Sequence, residues 1–289
     1  MFKRIASQSK TVLKSVLDGG IDGFASCLIN YLERIGLHNT SRLAYRSVIY
    51  WRWIFMRIKN PFRRVVFITF ADGIIYTNRR IAEQAFATKV FSQVIAEDKV
   101  SLGVDFYETF KSHVEYPRGF GYWCWKPFII DRTLSLIRND DILIYADSGC
   151  SIGSFGVAAT LKNELLKLLA SEANISVANF WEPRYIRNWT KFELLESLGV
   201  SSDADLLNCP QYEAGRIAFI VCDETRGFVR EWLEHAKILN LIDDSPSQSA
   251  ELPDFIEHRH DQSIFAILLH RHKFVTGLEK AIQATRLRS

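Results

Sequence analysis

Short apolar runs alternate with longer helical patterns through most of the chain after residue 64. The runs are bounded by polar residues and are too short for helices, which predicts buried strands. They are residues 65–70, 142–146, 175–180 and 215–221, and residues 101–106 fit a further strand. The 3.6-residue period predicts helices at residues 78–96, 126–137, 155–170, 223–240 and 264–269. This alternation predicts an α/β domain whose sheet is flanked by helices.

Residues 1–60 carry helical periodicity instead of strand patterns. One apolar stripe ends at Gly36, and a second covers residues 44–58 and is surrounded by arginines, which are Arg42, Arg46, Arg52 and Arg57. Such a helix can lie at an anionic membrane interface, and it can equally belong to a helical subdomain whose arginines are solvated. Pro61 closes the segment. We therefore predict a basic helical extension at residues 1–61, an α/β domain at residues 62–280 and a basic tail at residues 281–289.

The net charge of +3 conceals a separation of charge along the chain. Residues 1–64 contain 12 Lys and Arg against 3 Asp and Glu, a net +9, so the remainder carries −6. The acidic remainder argues against a nucleic-acid partner, because nucleic-acid-binding proteins surround their binding site with basic residues. We call residues 1–64 the basic front, and their positive charge fits an anionic surface.

Composition and cysteine usage indicate a soluble protein of a reducing compartment. The hydrophobic share is 48% and the charged share 24%, as in ordinary globular proteins. No apolar run reaches the roughly 18 residues that span a bilayer, and no apolar stretch typical of a secretory signal follows Met1. The 5 cysteines are scattered and odd in number, which argues against a disulfide framework. We expect a cytosolic protein, with the basic front as its candidate contact with the inner membrane face.

Asp147 directly follows the predicted strand at residues 142–146, at the end where open α/β sheets bind ligands. The small residues Ser148 and Gly149 come next and let a phosphate or a metal ion approach the backbone closely. The alternative that Asp147 only caps the next helix stays open. The chain contains no dinucleotide-binding or P-loop glycine fingerprint.

A glycine- and aromatic-rich stretch at residues 118–127 ends in Lys126 and Pro127, which open a predicted helix. A lysine at a helix N-terminus is unfavourable unless an anion is bound beside it. Arg118 begins the same stretch. An aromatic plug of the core with an incidental lysine is the alternative interpretation.

Two further clusters combine chemistry-bearing residue types. Residues 257–263 place His258, His260, Asp261 and Gln262 before an apolar helix, a density that exceeds what helix capping requires. Either histidine could complete a metal shell begun by Asp147. Residues 181–191 mix aromatic and polar side chains, which suit sugar rings, although tryptophans also fill cores.

Residues 67–73, 118–127, 144–150 and 258–263 together resemble, in this order, bacterial glycosyltransferases of the GT-A type, particularly those encoded with capsule and lipopolysaccharide O-antigen genes. The resemblance covers about residues 65–275. It implies a GT-A-like, Rossmann-like mixed sheet and transfer from a nucleotide-sugar donor, by default a UDP-sugar. The implied acceptor is a saccharide or lipid-linked saccharide of a surface polysaccharide pathway.

The resemblance also assigns roles to residues. Thr69 and Asp72 would hold the base and ribose, with Arg118, Lys126, Ser148 and Gly149 around the diphosphate. Asp147 takes the D-x-D position that binds Mn²⁺ or Mg²⁺, but the third position is Gly149. Further ligands would come from His258, His260 or Asp261, or else Lys126 and Arg118 act without a metal ion.

The remaining roles concern the reacting sugar and the acceptor. Asp261 and Gln262 would lie near the sugar, with Asp261 as general base or as the carboxylate facing the oxocarbenium. Trp189 and Lys191 would contact the acceptor.

Two other functions remain open. A sugar-phosphate nucleotidyltransferase uses a similar sheet, but it usually has a basic, glycine-rich loop after the first strand, and residues 71–73 contain no basic residue. A catalytically inactive scaffold at a membrane surface would explain the missing second aspartate.

Overall fold

The computed structural model describes residues 37–59, 63–73, 75–153 and 157–284. The chain forms two compact units, Met1–Phe62 and Arg63–Ser289. The predicted extension, residues 1–61, ends one residue before the first unit does.

The described part of the first unit is helix α1 (His38–Lys59). Its Ile49 and Trp53 side chains are buried, whereas Leu43 and Tyr50 are exposed, as expected for an amphipathic helix. The helix predicted at residues 44–58 is therefore confirmed, and the stripe that ends at Gly36 lies outside the described residues. Among the helices that the structure describes, none is long and apolar enough to cross a membrane.

The second unit is built on a six-stranded mixed sheet with the order β2-β1-β3-β6-β5-β7, while β4 and β8 form a separate antiparallel pair. Of the six strands, β6 alone runs antiparallel to its neighbours. The strands are β1 (Val65–Phe70), β2 (Gln93–Glu97), β3 (Ile142–Ala146), β4 (Cys150–Ile152), β5 (Ile175–Ala178), β6 (Glu213–Ile220), β7 (Phe274–Thr276) and β8 (Ile282–Ala284).

The strand directions bring several loops to one edge of the sheet. The carboxyl ends of β1, β3 and β5 meet there, and so does the amino end of the reversed strand β6, because Ala146 pairs with Arg216. We call this side the carboxyl edge. Open α/β sheets bind their ligands at this position.

Helices cover the sheet and supply most of the remaining core. They are α2 (Ile75–Ala87), α3 (Val104–Thr109), α4 (Trp125–Leu136), α5 (Val157–Ala170), α6 (Phe192–Ser197), α7 (Ala204–Leu207), α8 (Asp223–Ala236), α9 (Leu239–Ile242) and α10 (Asp261–Leu269). Short 3₁₀ turns occur at Ile186–Asn188 and Leu278–Lys280, and a helical turn at Gly119–Tyr122 has left-handed backbone angles.

Helix α8 packs against both α4 and α10, and α10 packs on β6. Phe228 and Trp232 of α8 lie against Phe265 of α10. The Trp232 indole also donates a hydrogen bond to the Asp261 carbonyl at 2.9 Å. The start of α10 is thereby fixed relative to the sheet.

The predicted α/β class, with a mixed sheet flanked by helices, is confirmed. The helix predicted at residues 78–96 is too long: α2 ends at Ala87, and residues 93–97 form β2. Because β2 lies at the sheet edge and is only partly buried, it lacks the apolar run of a central strand. The strand predicted at residues 101–106 is instead a turn leading into α3, and β8 lies within the predicted basic tail.

Candidate active site

The carboxyl edge holds a cluster of ionisable side chains around Lys126. The Lys126 ammonium lies 3.5 Å from Asp147 Oδ1 and 3.2 Å from Asp261 Oδ2. The Tyr145 hydroxyl donates a short hydrogen bond to Asp147 Oδ1. We call Lys126, Tyr145, Asp147 and Asp261 the lysine–carboxylate cluster. It unites three residues that the sequence placed on separate segments.

The cluster has a buried side and an open side. Lys126 is 4% exposed and Asp261 2% exposed, whereas the Asp147 side chain is 41% exposed. A ligand from solvent therefore reaches Asp147 first, with the lysine and the second carboxylate behind it. Buried charges of this kind cost several kcal/mol to desolvate.

The burial and the close charges shift the acid–base behaviour of the cluster. Burial raises the pKa of Asp261 to about 6, helped by repulsion from Asp147 and opposed by the attraction of Lys126. Burial alone would lower the pKa of Lys126, but Asp147 and Asp261 reverse this effect and raise it. Burial and the Asp147 charge also raise the pKa of Tyr145 well above its ordinary value. Near neutral pH, Lys126 is cationic and Tyr145 is protonated.

A strained turn positions Lys126 at the start of α4. Residues 119–123 all have positive φ, among them the non-glycine residues Phe120, Tyr122 and Trp123. Such angles cost of order 1 kcal/mol or more for each non-glycine residue, and they occur often at functional sites. Trp125 stacks on Phe70 at 4.1 Å between ring centroids. The stretch is thus both an aromatic part of the core and the support of Lys126.

Two residues that the sequence analysis missed hold the loop around Asp147. The Asp147 amide donates to the Gly215 carbonyl at 2.9 Å, and a Cβ atom at Gly215 would lie 2.6 Å from Asp147 Oδ2. The Arg80 guanidinium donates to the carbonyls of Ser148 and Cys150 at 2.8 and 2.7 Å. Neither residue carries a motif, so only the fold reveals these roles.

Two cavities adjoin at the carboxyl edge. The first, of about 360 Å³, is lined by Asp147, Ser148 and Gly149 together with Asp72 and Trp123. The second, of about 710 Å³, shares Ala71 and Asp72 with the first and extends between α2 and β2 along mostly apolar side chains. These volumes are those of small-molecule sites.

The structure thus brings Asp72, Ser148 and Gly149 together with Asp147 around one cavity, and their predicted role in donor binding stays a prediction. Thr69 is fully buried within β1, and its hydroxyl has no hydrogen-bond partner in the described part of the chain.

Arg118 is held by protein carboxylates. Its guanidinium bonds to both carboxylate oxygens of Asp244 at 2.9 Å and to Glu257 Oε1 at 2.7 Å. The hydrogen bond that Arg118 donates to Glu257, followed by the interaction with Asp244, raises the pKa of Arg118 despite some burial. Its charge is already neutralised, so this arrangement lends no support to a diphosphate-binding role.

The histidines do not join Asp147 in a metal shell, which corrects the predicted ligand set. His258 is buried, with Nε2 donating to the Leu241 carbonyl at 2.9 Å and Nδ1 accepting from the Lys191 amide at 3.3 Å. His260 donates from Nδ1 to the Ile242 carbonyl at 2.6 Å and stacks on Tyr122. No three His, Cys, Asp or Glu residues within the described ranges are grouped to hold a metal ion. The histidines instead tie the start of α10 to α9.

Asp147 by itself still fits a metal ion that is shared with a substrate. Mg²⁺ is commonly bound through one or two carboxylates together with substrate phosphates and water, and the solvent-accessible Asp147 lines the cavity together with a second carboxylate, Asp72. Lys126, 3.5 Å away, also supplies positive charge without a metal ion.

Of the two predicted acceptor residues, Lys191 is buried in a structural ion pair. It is 2% exposed, and its ammonium lies 2.8 Å from Asp243 Oδ1 and 3.2 Å from the Ser245 carbonyl. It is therefore not available to an acceptor, a correction to the predicted role. Trp189 is half-buried, with the guanidinium groups of Arg184 and Arg259 over its ring at 4.8 and 4.5 Å.

Gln262 lies beside the lysine–carboxylate cluster on the first turn of α10. Its side-chain amide donates to Gln211 Oε1 at 3.2 Å, and Gln211 Nε2 in turn donates to the Trp189 carbonyl at 3.2 Å. This chain of hydrogen bonds connects the start of α10 with the segment that follows β5.

Comparison with known proteins gives matches among solved structures but none among family models or curated proteins. Among solved structures, mouse xyloside xylosyltransferase 1 in its apo form aligns over 75% of this chain and 84% of its own, with 12% identity and a TM-score of 0.40. So distant a similarity carries no functional argument, and function has to be inferred from the site.

Proposed function

We propose that the chain is a glycosyltransferase that moves a sugar from a nucleotide-sugar donor to a saccharide or lipid-linked saccharide. The observation that carries the proposal is the lysine–carboxylate cluster beside the two adjoining cavities of the carboxyl edge. It combines a cation for a departing phosphate with two carboxylates of different exposure. Surface polysaccharide synthesis and a UDP-sugar donor follow the resemblance described above.

The two cavities suggest how a donor lies. The larger, apolar cavity between α2 and β2 takes the base, and Asp72 at the junction faces the ribose. The diphosphate then lies along Ser148 and Gly149. At Gly149 an added Cβ would meet nothing within 4 Å, so the backbone there is open to a phosphate. The sugar comes to rest at Asp147.

The chemistry required of the site matches these side chains. The bond between the anomeric carbon and the diphosphate oxygen breaks as the acceptor oxygen bonds to that carbon. Lys126 stabilises the charge on the departing diphosphate, and Asp147 would hold Mn²⁺ or Mg²⁺. Such an ion, when bound, supplies further positive charge to the diphosphate.

Asp261 is the proton acceptor in this proposal. With a pKa of about 6 it is mostly ionised at neutral pH, so it can take the proton from the acceptor hydroxyl, provided that the configuration is inverted. In a retaining reaction the same carboxylate would face the oxocarbenium.

The alternatives fit the geometry less well. The loop after β1 offers no cation for a nucleotidyltransferase, because residues 71–73 are Ala, Asp and Gly. An inactive scaffold would gain no stability from a buried lysine between two carboxylates. Replacing such a buried ion pair with apolar residues of similar volume often leaves a protein equally stable or more stable.

Calorimetric titration with UDP, GDP, CMP and dTDP, in Mn²⁺ and in EDTA, tests the proposal. Binding of UDP that needs Mn²⁺ and is lost in Asp147→Asn would support a metal ion on Asp147. Binding that persists in EDTA and is lost in Lys126→Met would support the metal-free variant. Failure of all four nucleotides to bind would overturn the transferase proposal and favour the scaffold.

A further inference from the structure

At the carboxyl edge, the Arg184 side chain contacts aromatic rings and forms no ion pair with a carboxylate of the described residues. The Arg184 guanidinium lies over the rings of Phe180 at 4.5 Å and Trp189 at 4.8 Å. Arg187, three residues later, is paired with Asp254 at 2.6 Å. Arg184 is thus a partly exposed guanidinium stacked on two aromatic rings, with its hydrogen-bond donors left for a ligand.

A second arginine increases the positive charge at this place. Arg259 also lies over the Trp189 ring, at 4.5 Å, and it shares Glu257 with Arg118. Its Nε atom is buried without a hydrogen-bond partner among the residues described. Burial lowers the pKa of Arg259, and the charge of Arg184 adds to this effect. Two cations on one indole are stabilised when an anion joins them.

The same segment presents aromatic surface to solvent. Trp181 is 99% exposed and Tyr185 45% exposed, and Pro183 between them restricts the backbone. A fully exposed tryptophan is unusual in a soluble protein. An indole face suits the apolar face of a sugar ring.

The segment is connected to the proposed reaction centre through the sheet and through hydrogen bonds. It follows β5, whose carboxyl end lies at the same edge of the sheet as Asp147. The hydrogen bonds from Gln262 to Gln211 and from Gln211 to the Trp189 carbonyl join it to the first turn of α10, next to Asp261.

We propose that Trp181, Arg184 and Arg259 bind an acceptor saccharide that carries a phosphate or carboxylate group. Arg184 is the ligand of the anionic group, and Trp181 stacks on the sugar. This inference rests on the proposed function, because only a transferase needs an acceptor. It narrows the substrate class from any saccharide to an anionic one.

The test compares three probes on the full chain, by calorimetry at low salt: glucose 1-phosphate, glucuronate and glucose. At least one anionic probe should bind about tenfold or more tightly than glucose, the usual value of one charge-assisted contact. Arg184→Gln should abolish this preference. Arg187→Gln is the matched control, since Arg187 belongs to the same segment but is already paired, and it should keep the preference. The phosphate and the carboxylate probe show which anion is recognised.

Two further measurements separate the possible failures. Trp181→Ala should weaken the binding of glucose 1-phosphate but leave the binding of inorganic phosphate unchanged, because the substitution removes only the contact with the sugar. UDP binding should be the same in Arg184→Gln as in the wild type. Equal binding of all three probes, or equal behaviour of Arg184→Gln and Arg187→Gln, would overturn the anionic-acceptor inference. If the protein binds anions at Arg184 but binds no nucleotide, the anion site is supported and the proposed transferase function is refuted.

Discussion

Asp261 combines deep burial with two charged neighbours of opposite sign. Its folded pKa of about 6 lies above the value of roughly 3.9 for an unfolded aspartate. The protonated form is therefore favoured by folding. The stability linked to this group is fully present below the unfolded pKa and is lost as the pH rises through 6.

We expect wild-type protein to gain stability relative to Asp261→Asn as the pH falls. Two pKa units correspond to about 3 kcal/mol, so the difference in unfolding free energy should change by roughly this amount between about pH 7.5 and pH 4. Urea unfolding at intermediate pH values measures it. A difference that is independent of pH would contradict a raised Asp261 pKa.

Lys126→Met tests how the lysine charge affects the pKa of Asp261. Because Lys126 lowers the pKa of Asp261, its removal should move the titration to higher pH. The acid limb of donor turnover should move in the same direction if Asp261 is the base.

Gly215 offers a second test at the residue scale. A Cβ atom there would lie 2.6 Å from Asp147 Oδ2, so Gly215→Ala should force the carboxylate to rotate. We expect Mn²⁺-dependent UDP binding to weaken about tenfold or more, measured by calorimetry. Gly227→Ala is the matched control, because an added Cβ meets nothing within 4 Å. Since Gly227 lies within helix α8, alanine should stabilise the fold by up to about 1 kcal/mol and leave UDP binding unchanged. Equal UDP affinities in the two variants would refute this positional role.

At the scale of elements, the sequence predicted those site residues that lie next to a recognisable strand or helix pattern. Asp147 follows an apolar run, Lys126 lies beside Pro127 in the first turn of a helix, and Asp261 begins an apolar helix, so each was identifiable from its neighbours. Gly215 and Arg80 were not, because their roles depend on the register of β6 against β3 and on the packing of α2.

The residues that were predicted to belong to the site but have structural roles were misassigned for one common reason. A dense polar cluster before a helix can serve a ligand, but it can equally satisfy buried backbone groups. His258 and His260 do the latter, through the carbonyls of α9. Lys191 likewise holds Asp243. Sequence alone does not show which polar groups become buried.

Arg80 allows a test of how α2 supports the loop after β3. Arg80→Gln should remove the hydrogen bonds to the Ser148 and Cys150 carbonyls. Amide hydrogen exchange at residues 147–152 should then become about tenfold faster, as expected for the loss of charge-assisted bonds. Arg79→Gln is the control on the same helix, because Arg79 is exposed and its ion pair is with Glu83, away from the loop. Equal exchange rates in the two variants would show that the loop does not depend on Arg80.

At the scale of the whole molecule, the separation of charge governs which surfaces attract the protein. Residues 1–64 carry a net +9 and the remainder −6. An anionic membrane attracts basic segments by about 1 kcal/mol for each Lys or Arg near the surface, and salt screens this attraction. We therefore propose that the basic front contacts an anionic membrane, where a lipid-linked acceptor would be found.

Co-sedimentation with vesicles tests this contact. The full chain should bind phosphatidylcholine vesicles that contain about one third phosphatidylglycerol and should be released by salt. Changing Arg46, Arg52 and Arg57 together to Gln should weaken binding by roughly 3 kcal/mol, about a hundredfold. The control changes three exposed cations of the second unit to Gln, namely Arg79, Arg230 and Lys273, and should bind like the wild type. Equal losses in the two triple variants would show that total charge, and not the basic front, drives membrane binding.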